Sequence, residues 1–113
     1  MDDGGQIDTV DKGAIVAGFA QLIEWKTSRY DEVEKLNDEW RERFPKMGPT
    51  RVLVGSDRDN AGSYVTLVEF ASYEEAMTNS KDPATSEYAE KMQALSDGPP
   101  VFHNLDIVHV EDR

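Results

Sequence analysis

The sequence predicts an α+β domain in the order β-α-β-β-α-β, folded as a four-stranded antiparallel sheet with its helices on one face. Three observations predict it. Two stretches repeat apolar residues at the three-and-four spacing of an amphipathic helix, and four short runs rich in β-branched and aromatic residues lie between turn signals. The passage from strand into helix also occurs twice in nearly the same residues. Leu22-Ile23-Glu24-Trp25 precedes Tyr30-Asp31-Glu32, and Leu67-Val68-Glu69-Phe70 precedes Tyr73-Glu74-Glu75.

Residues 1–13 carry four acids and three glycines with little apolar content, so they are expected to form a flexible acidic arm ahead of a single domain over 14–113. Residues 14–26 are rich in Ile, Val, Phe and Trp without helical spacing, which predicts a long strand, bent or bulged at Gly18. Ser28 and Asp31 read as a capping-box-like start. Over 30–44 the residues Val33, Leu36, Trp40 and Phe44 form one helical stripe, with Asp31–Lys35 and Glu39–Arg43 as acid-first pairs elsewhere on the surface. Pro45, Gly48 and Pro49 end that helix. Residues 51–57 and 64–70 read as strands joined by the turn Asp59-Asn60-Ala61-Gly62, so the pair is a hairpin. Ser72 and Glu75 cap a short helix, and Asp82-Pro83 supplies an N-cap with proline at the first helical position. The restarted helix carries Thr85, Tyr88, Met92 and Leu95 as its stripe and is stopped by Asp97-Gly98-Pro99-Pro100 as by a glycine cap followed by proline. Residues 101–110 form the last strand. The order and the internal echo fit a split βαβ pair, the ferredoxin-like arrangement.

Composition narrows the function. The chain has 113 residues, a net charge of −11 and no cysteine. Disulfides, thiolate metal sites and cysteine nucleophiles are excluded. An acidic chain whose lysines and arginines never cluster repels phosphate backbones and anionic lipid, so neither nucleic acid nor membrane is an expected partner. No apolar stretch approaches the roughly 20 residues of a membrane span, and the acidic N-terminus is unlike a signal peptide, so the expected compartment is the cytoplasm. No phosphate-binding, zinc-protease or nucleophile-elbow motif is present, and the acidic run 57–62 places Ala61 where a calcium loop needs a ligand and Val68 where it needs Glu. Neither a metal nor a cofactor is expected.

The strands are apolar on both faces. In the third, Val68 and Phe70 oppose Val65 and Leu67; in the first, Ile23 and Trp25 oppose Ala20 and Leu22. Two helices cover only one face, and leaving the other in water forgoes about 1.5 to 3 kcal/mol per large side chain. A homodimer formed through the bare faces is therefore expected.

The element order, the passage from Leu67 through Ala76, and the segment from Asn79 to Tyr88 resemble the dimeric α/β barrel superfamily, and within it the antibiotic biosynthesis monooxygenase-like proteins. The resemblance covers residues 14–110. It implies two sheets paired into an α/β barrel, with a small molecule held between each protomer's sheet and helices. Activities across that superfamily include cofactor-free oxidation of polycyclic aromatic substrates, haem degradation, haem peroxidation and isomerisation of small molecules. The aromatic position ending the third strand, often Trp in relatives, is Phe70 here, and the Asn and His constellation of the haem-degrading branch has no match, so haem degradation is not expected.

In such a cleft Trp25, Leu36, Trp40, Phe70 and Met92 are the candidate lining for a flat apolar or aromatic ligand, although the same stripes would also make a plain core. Tyr88 is a candidate catalytic residue, because a buried phenol needs a partner and can donate to a ligand oxygen. His103 is the candidate general base, since histidine exchanges a proton near neutral pH, although a lone histidine with no orienting carboxylate evident in the sequence is more often structural. Strand alternation puts His103 on one face with Leu105, and Asn104 with Asp106 on the other, which on this reading is the dimer face. The expected function is small-molecule binding, with cofactor-independent monooxygenation of an aromatic or apolar substrate. The alternative is a non-catalytic ligand-binding or interaction module.

Overall fold

A computed structural model describes residues 18–42 and 48–113. The acidic arm, the start of the first predicted strand and the residues Arg43, Phe44 and Pro45 lie outside them. The described elements are β1 (Phe19–Lys26), α1 (Tyr30–Trp40), β2 (Arg51–Ser56), β3 (Ser63–Phe70), α2 (Tyr73–Lys81), α3 (Pro83–Leu95) and β4 (Val101–Asp106). The strands form one antiparallel sheet in the order β2-β3-β1-β4, as a ferredoxin-like chain requires.

Local chemistry explains most of the boundaries. Ser72 Oγ accepts from the Glu75 amide and starts α2, and the Asp82 carboxylate accepts from the Ala84 amide ahead of Pro83 and starts α3. Three predicted boundaries are corrected. Ser28 does not cap α1; Thr27 Oγ1 instead accepts from the Arg29 amide and donates to Leu95 O, while the Arg29 guanidinium bonds Ala94 O. A tertiary tie to the end of α3 has replaced the local cap. The end of α3 is Ser96 in an extended conformation, and Gly98, at φ 118°, makes the later turn into β4. The last strand is shorter than expected: it ends at Asp106, and the Ile107 amide makes one further in-register bond, to Gly18 O. Gly18 itself is needed for close approach, since a Cβ there would lie 2.5 Å from the Phe70 carbonyl oxygen.

Register fixes which side chains share a face. On β1, Phe19, Gln21, Ile23 and Trp25 share one face with Tyr64, Thr66, Val68 and Phe70 of β3, with Val52 and Val54 of β2, and with Phe102 and Asn104 of β4. Phe19 and Phe70 are buried against Ala76 of α2, with Val68 and Met77 beside them and Tyr73 edge-on to Phe19 at 5.3 Å. This is therefore the helix side. At the other end of the sheet Trp25 stacks on Tyr64 and Tyr30, and its indole Nε1–H donates to Thr66 Oγ1 at 2.8 Å. α1 buries Val33, Leu36 and Trp40, as its stripe requires, and α3 packs against α1 and α2 without fully burying any residue.

Candidate functional site

The predicted site residues divide between two faces. Trp25, Leu36, Trp40 and Phe70 are all buried, and Tyr88 and Met92 are half-buried on α3. Tyr88 packs against Trp40 with ring centroids 5.9 Å apart, and its phenol O–H donates to Asn37 Oδ1, so α1 and α3 are clasped at this point. Burial pushes its pKa up to about 12. A phenol so held stays protonated at neutral pH and acts as a donor, not a base.

His103 is not with them. Its register partner is Leu22, on the face away from the helices, where its Nε2–H donates to Glu24 Oε2 at 2.6 Å. The expectation that His103 looks into the helix-side cleft is corrected, and so is the expectation that it lacks an orienting carboxylate. With Nε2 donating to Glu24, Nδ1 is the nitrogen left to accept a proton. Asn104 is correspondingly on the helix side, bonded to Gln21, and not on the open face. Alternation specifies which residues share a face but not which face the helices cover, so the parity of β4 was undetermined until α2 was seen against Phe19. Glu69 pairs across strands with Arg51 at 2.9 Å, and its hydrogen bond and charge raise the Arg51 pKa.

The helices leave part of their own side of the sheet uncovered. Val52 and Val54 on edge strand β2 are 54% and 41% exposed, and Phe102 on edge strand β4 is 54% exposed, although all three point to the helix side. The space between the sheet and helices is thus filled at Phe19 and Phe70 but accessible at both edges. A separate depression of about 520 Å³ at the end of the sheet is lined by Glu24, Lys26, Asp57, Tyr64 and Asp97 among others, and shares only Trp25 with the predicted lining. Among the described residues no cluster of three metal-ligating side chains occurs.

Sequence reasoning passed over two further groups. Gln21 and Asn104 form an amide pair on the helix side, and at the elbow between α2 and α3 the atoms Asn79 Oδ1 and Thr85 Oγ1 are buried without a partner. Gln21, two residues from both Phe19 and Ile23, breaks an otherwise apolar helix-side run on β1, and that interruption was the available signal.

No family model matches the chain, nor does any curated protein. Solved structures do match. SnoaB from Streptomyces nogalater, a cofactor-independent oxygenase in a mutant form, is 16% identical, with 81% of this chain and 94% of that one covered at a TM-score of 0.70. A conserved protein from Methanosarcina mazei Go1 is 11% identical over 84% and 97% of the two chains at 0.72. An antibiotic biosynthesis monooxygenase is 13% identical over 80% and 99% at 0.65. The chain therefore shares the fold of antibiotic biosynthesis monooxygenase-like proteins, as its element order and the stretches 67–76 and 79–88 led one to expect.

Proposed function

We propose that the chain is a homodimeric small-molecule-binding protein that takes a flat, apolar or aromatic ligand on the helix side of its sheet. The observation that carries this reading is the exposure of Val52, Val54 and Phe102 on the face the helices ought to cover. Apolar groups left wet in a space already walled by packed helices are suited to a ligand that excludes the water. Phe70, Trp40 and Met92 would bound that space, with Tyr88 holding α1 against α3. The likeness to SnoaB supports oxidation of the ligand by molecular oxygen without a cofactor as the accompanying activity.

A second reading, ligand binding without catalysis, is favoured by the same geometry. His103 faces away from the helices and Tyr88 is held protonated by burial. An oxygenase built this way relies on a substrate acidic enough to give up its own proton. Oxygen uptake by the full chain with a tricyclic hydroxyanthrone, in the absence of added flavin, haem or metal, separates the two. Protein-dependent uptake is expected; tight binding without uptake establishes the second reading, and neither binding nor uptake overturns both.

A further inference from the structure

Gln21 and Asn104 are direct cross-strand partners on the helix side, and Gln21 Nε2–H donates to Asn104 Oδ1 at 3.1 Å. Their neighbours on that face are apolar: Ile23 and Val68 flank Gln21, and Phe102 precedes Asn104 on β4. Asn104 is exposed and Gln21 half-buried, so the pair is reachable from the uncovered edge. The bond between the two amides consumes one donor and one acceptor. It leaves both Asn104 Nδ2 hydrogens, the second Gln21 Nε2 hydrogen and the lone pairs of Gln21 Oε1 free for other partners. Donors and an acceptor are thus offered side by side on an apolar floor, from groups that do not titrate.

We propose that the Gln21–Asn104 pair is the polar subsite of the helix-side cleft and recognises the edge of a flat aromatic ligand that carries a carbonyl and, too far from it to bond internally, a neutral hydroxyl. The ligand carbonyl accepts from Asn104 Nδ2, its hydroxyl donates to Gln21 Oε1, and its ring lies against Phe102 and Ile23. A ligand without such a polar edge leaves the amides covered and unpaired, so the subsite discriminates by rejection as much as by attraction. A carboxylate would find donors here but no use for the acceptor, and it would approach against a net charge of −11.

The inference rests on the cleft reading above, and calorimetric titration of the full chain tests the two separately. The probes are 2-hydroxy-9-fluorenone, whose hydroxyl is too far from its carbonyl to bond it, and fluorene, which has neither group. The chain is expected to prefer the hydroxyketone, and Asn104→Leu to weaken that compound about fivefold to tenfold, the loss of one or two neutral hydrogen bonds, while binding the hydrocarbon no less tightly. Gln21→Leu, and Asn104→Asp with its donors replaced by acceptors, should do the same, with unchanged melting profiles to show that each variant folds. Retention of the preference in all three variants, or equal weakening of both probes, overturns the subsite. Binding of both probes without preference overturns the subsite alone, whereas binding of neither overturns the cleft as well.

Discussion

At Tyr88 a single hydroxyl connects sequence, packing and pH. Burial beside Trp40 disfavours the phenolate, so the folded pKa stands at about 12 against an ordinary 10.0. A raised folded pKa means that the fold binds this proton more tightly than the unfolded chain does. The resulting stability is present in full below pH 10 and is lost as pH rises toward 12. Tyr88→Phe should cost about 0.5 to 1.5 kcal/mol at neutral pH through loss of the bond to Asn37, and should flatten the alkaline fall in stability measured by urea unfolding across a pH series. Tyr30 keeps a residual slope, because burial, then Glu34 and Tyr64, raise its pKa also. An equally steep fall in the variant would assign the alkaline loss to another group. That Tyr88 needs a partner was legible in the residue type. That the partner is Asn37, 51 positions away, was not.

Among the elements, the starts of the two helices that begin in local chemistry were read correctly, and the start of the one held by distant contacts was not. Ser72 and Asp82 cap α2 and α3 from within a few residues, so their signals survive in a single sequence. α1 is held instead by Thr27 and Arg29 reaching the carbonyls of Leu95 and Ala94, whose proximity is a tertiary fact. Asp82→Ala should therefore cost about 1 kcal/mol, within a range of roughly 0.5 to 2, in urea unfolding. Hydrogen exchange should show the loss as faster opening at the first turn of α3, with α2 amides little changed. Uniform acceleration over both helices would mean that the carboxylate supports the whole elbow and not one helix start.

For the whole molecule, the controlling quantity is uncovered apolar strand surface. The face away from the helices exposes Leu53, Val65, Val101 and Leu105, with His103 and Glu24 among them. We expect two copies to meet on this face, because a domain of this size has little stability to set against so much wet apolar area. Sedimentation at low micromolar concentration should give the mass of two chains, and Leu105→Glu should give one, by placing an unpaired charge in the dry contact. The melting temperature of the unaltered chain should rise with concentration, as for any assembly whose folded form is the associated one. A single-chain mass with a concentration-independent melting temperature would remove the dimer and leave the helix-side cleft to stand alone.

Apolar periodicity, turn residues and the repeated strand-to-helix passage determined the element order, the antiparallel hairpin and the excess of apolar strand, because each is written in residues close together in the chain. Only the tertiary structure decided which face the helices cover. A strand's period of two groups its side chains into two sets and assigns neither set to the core. That choice moved His103 out to Glu24 and brought Asn104 in to Gln21, and with them the place where a ligand's polar edge would be read.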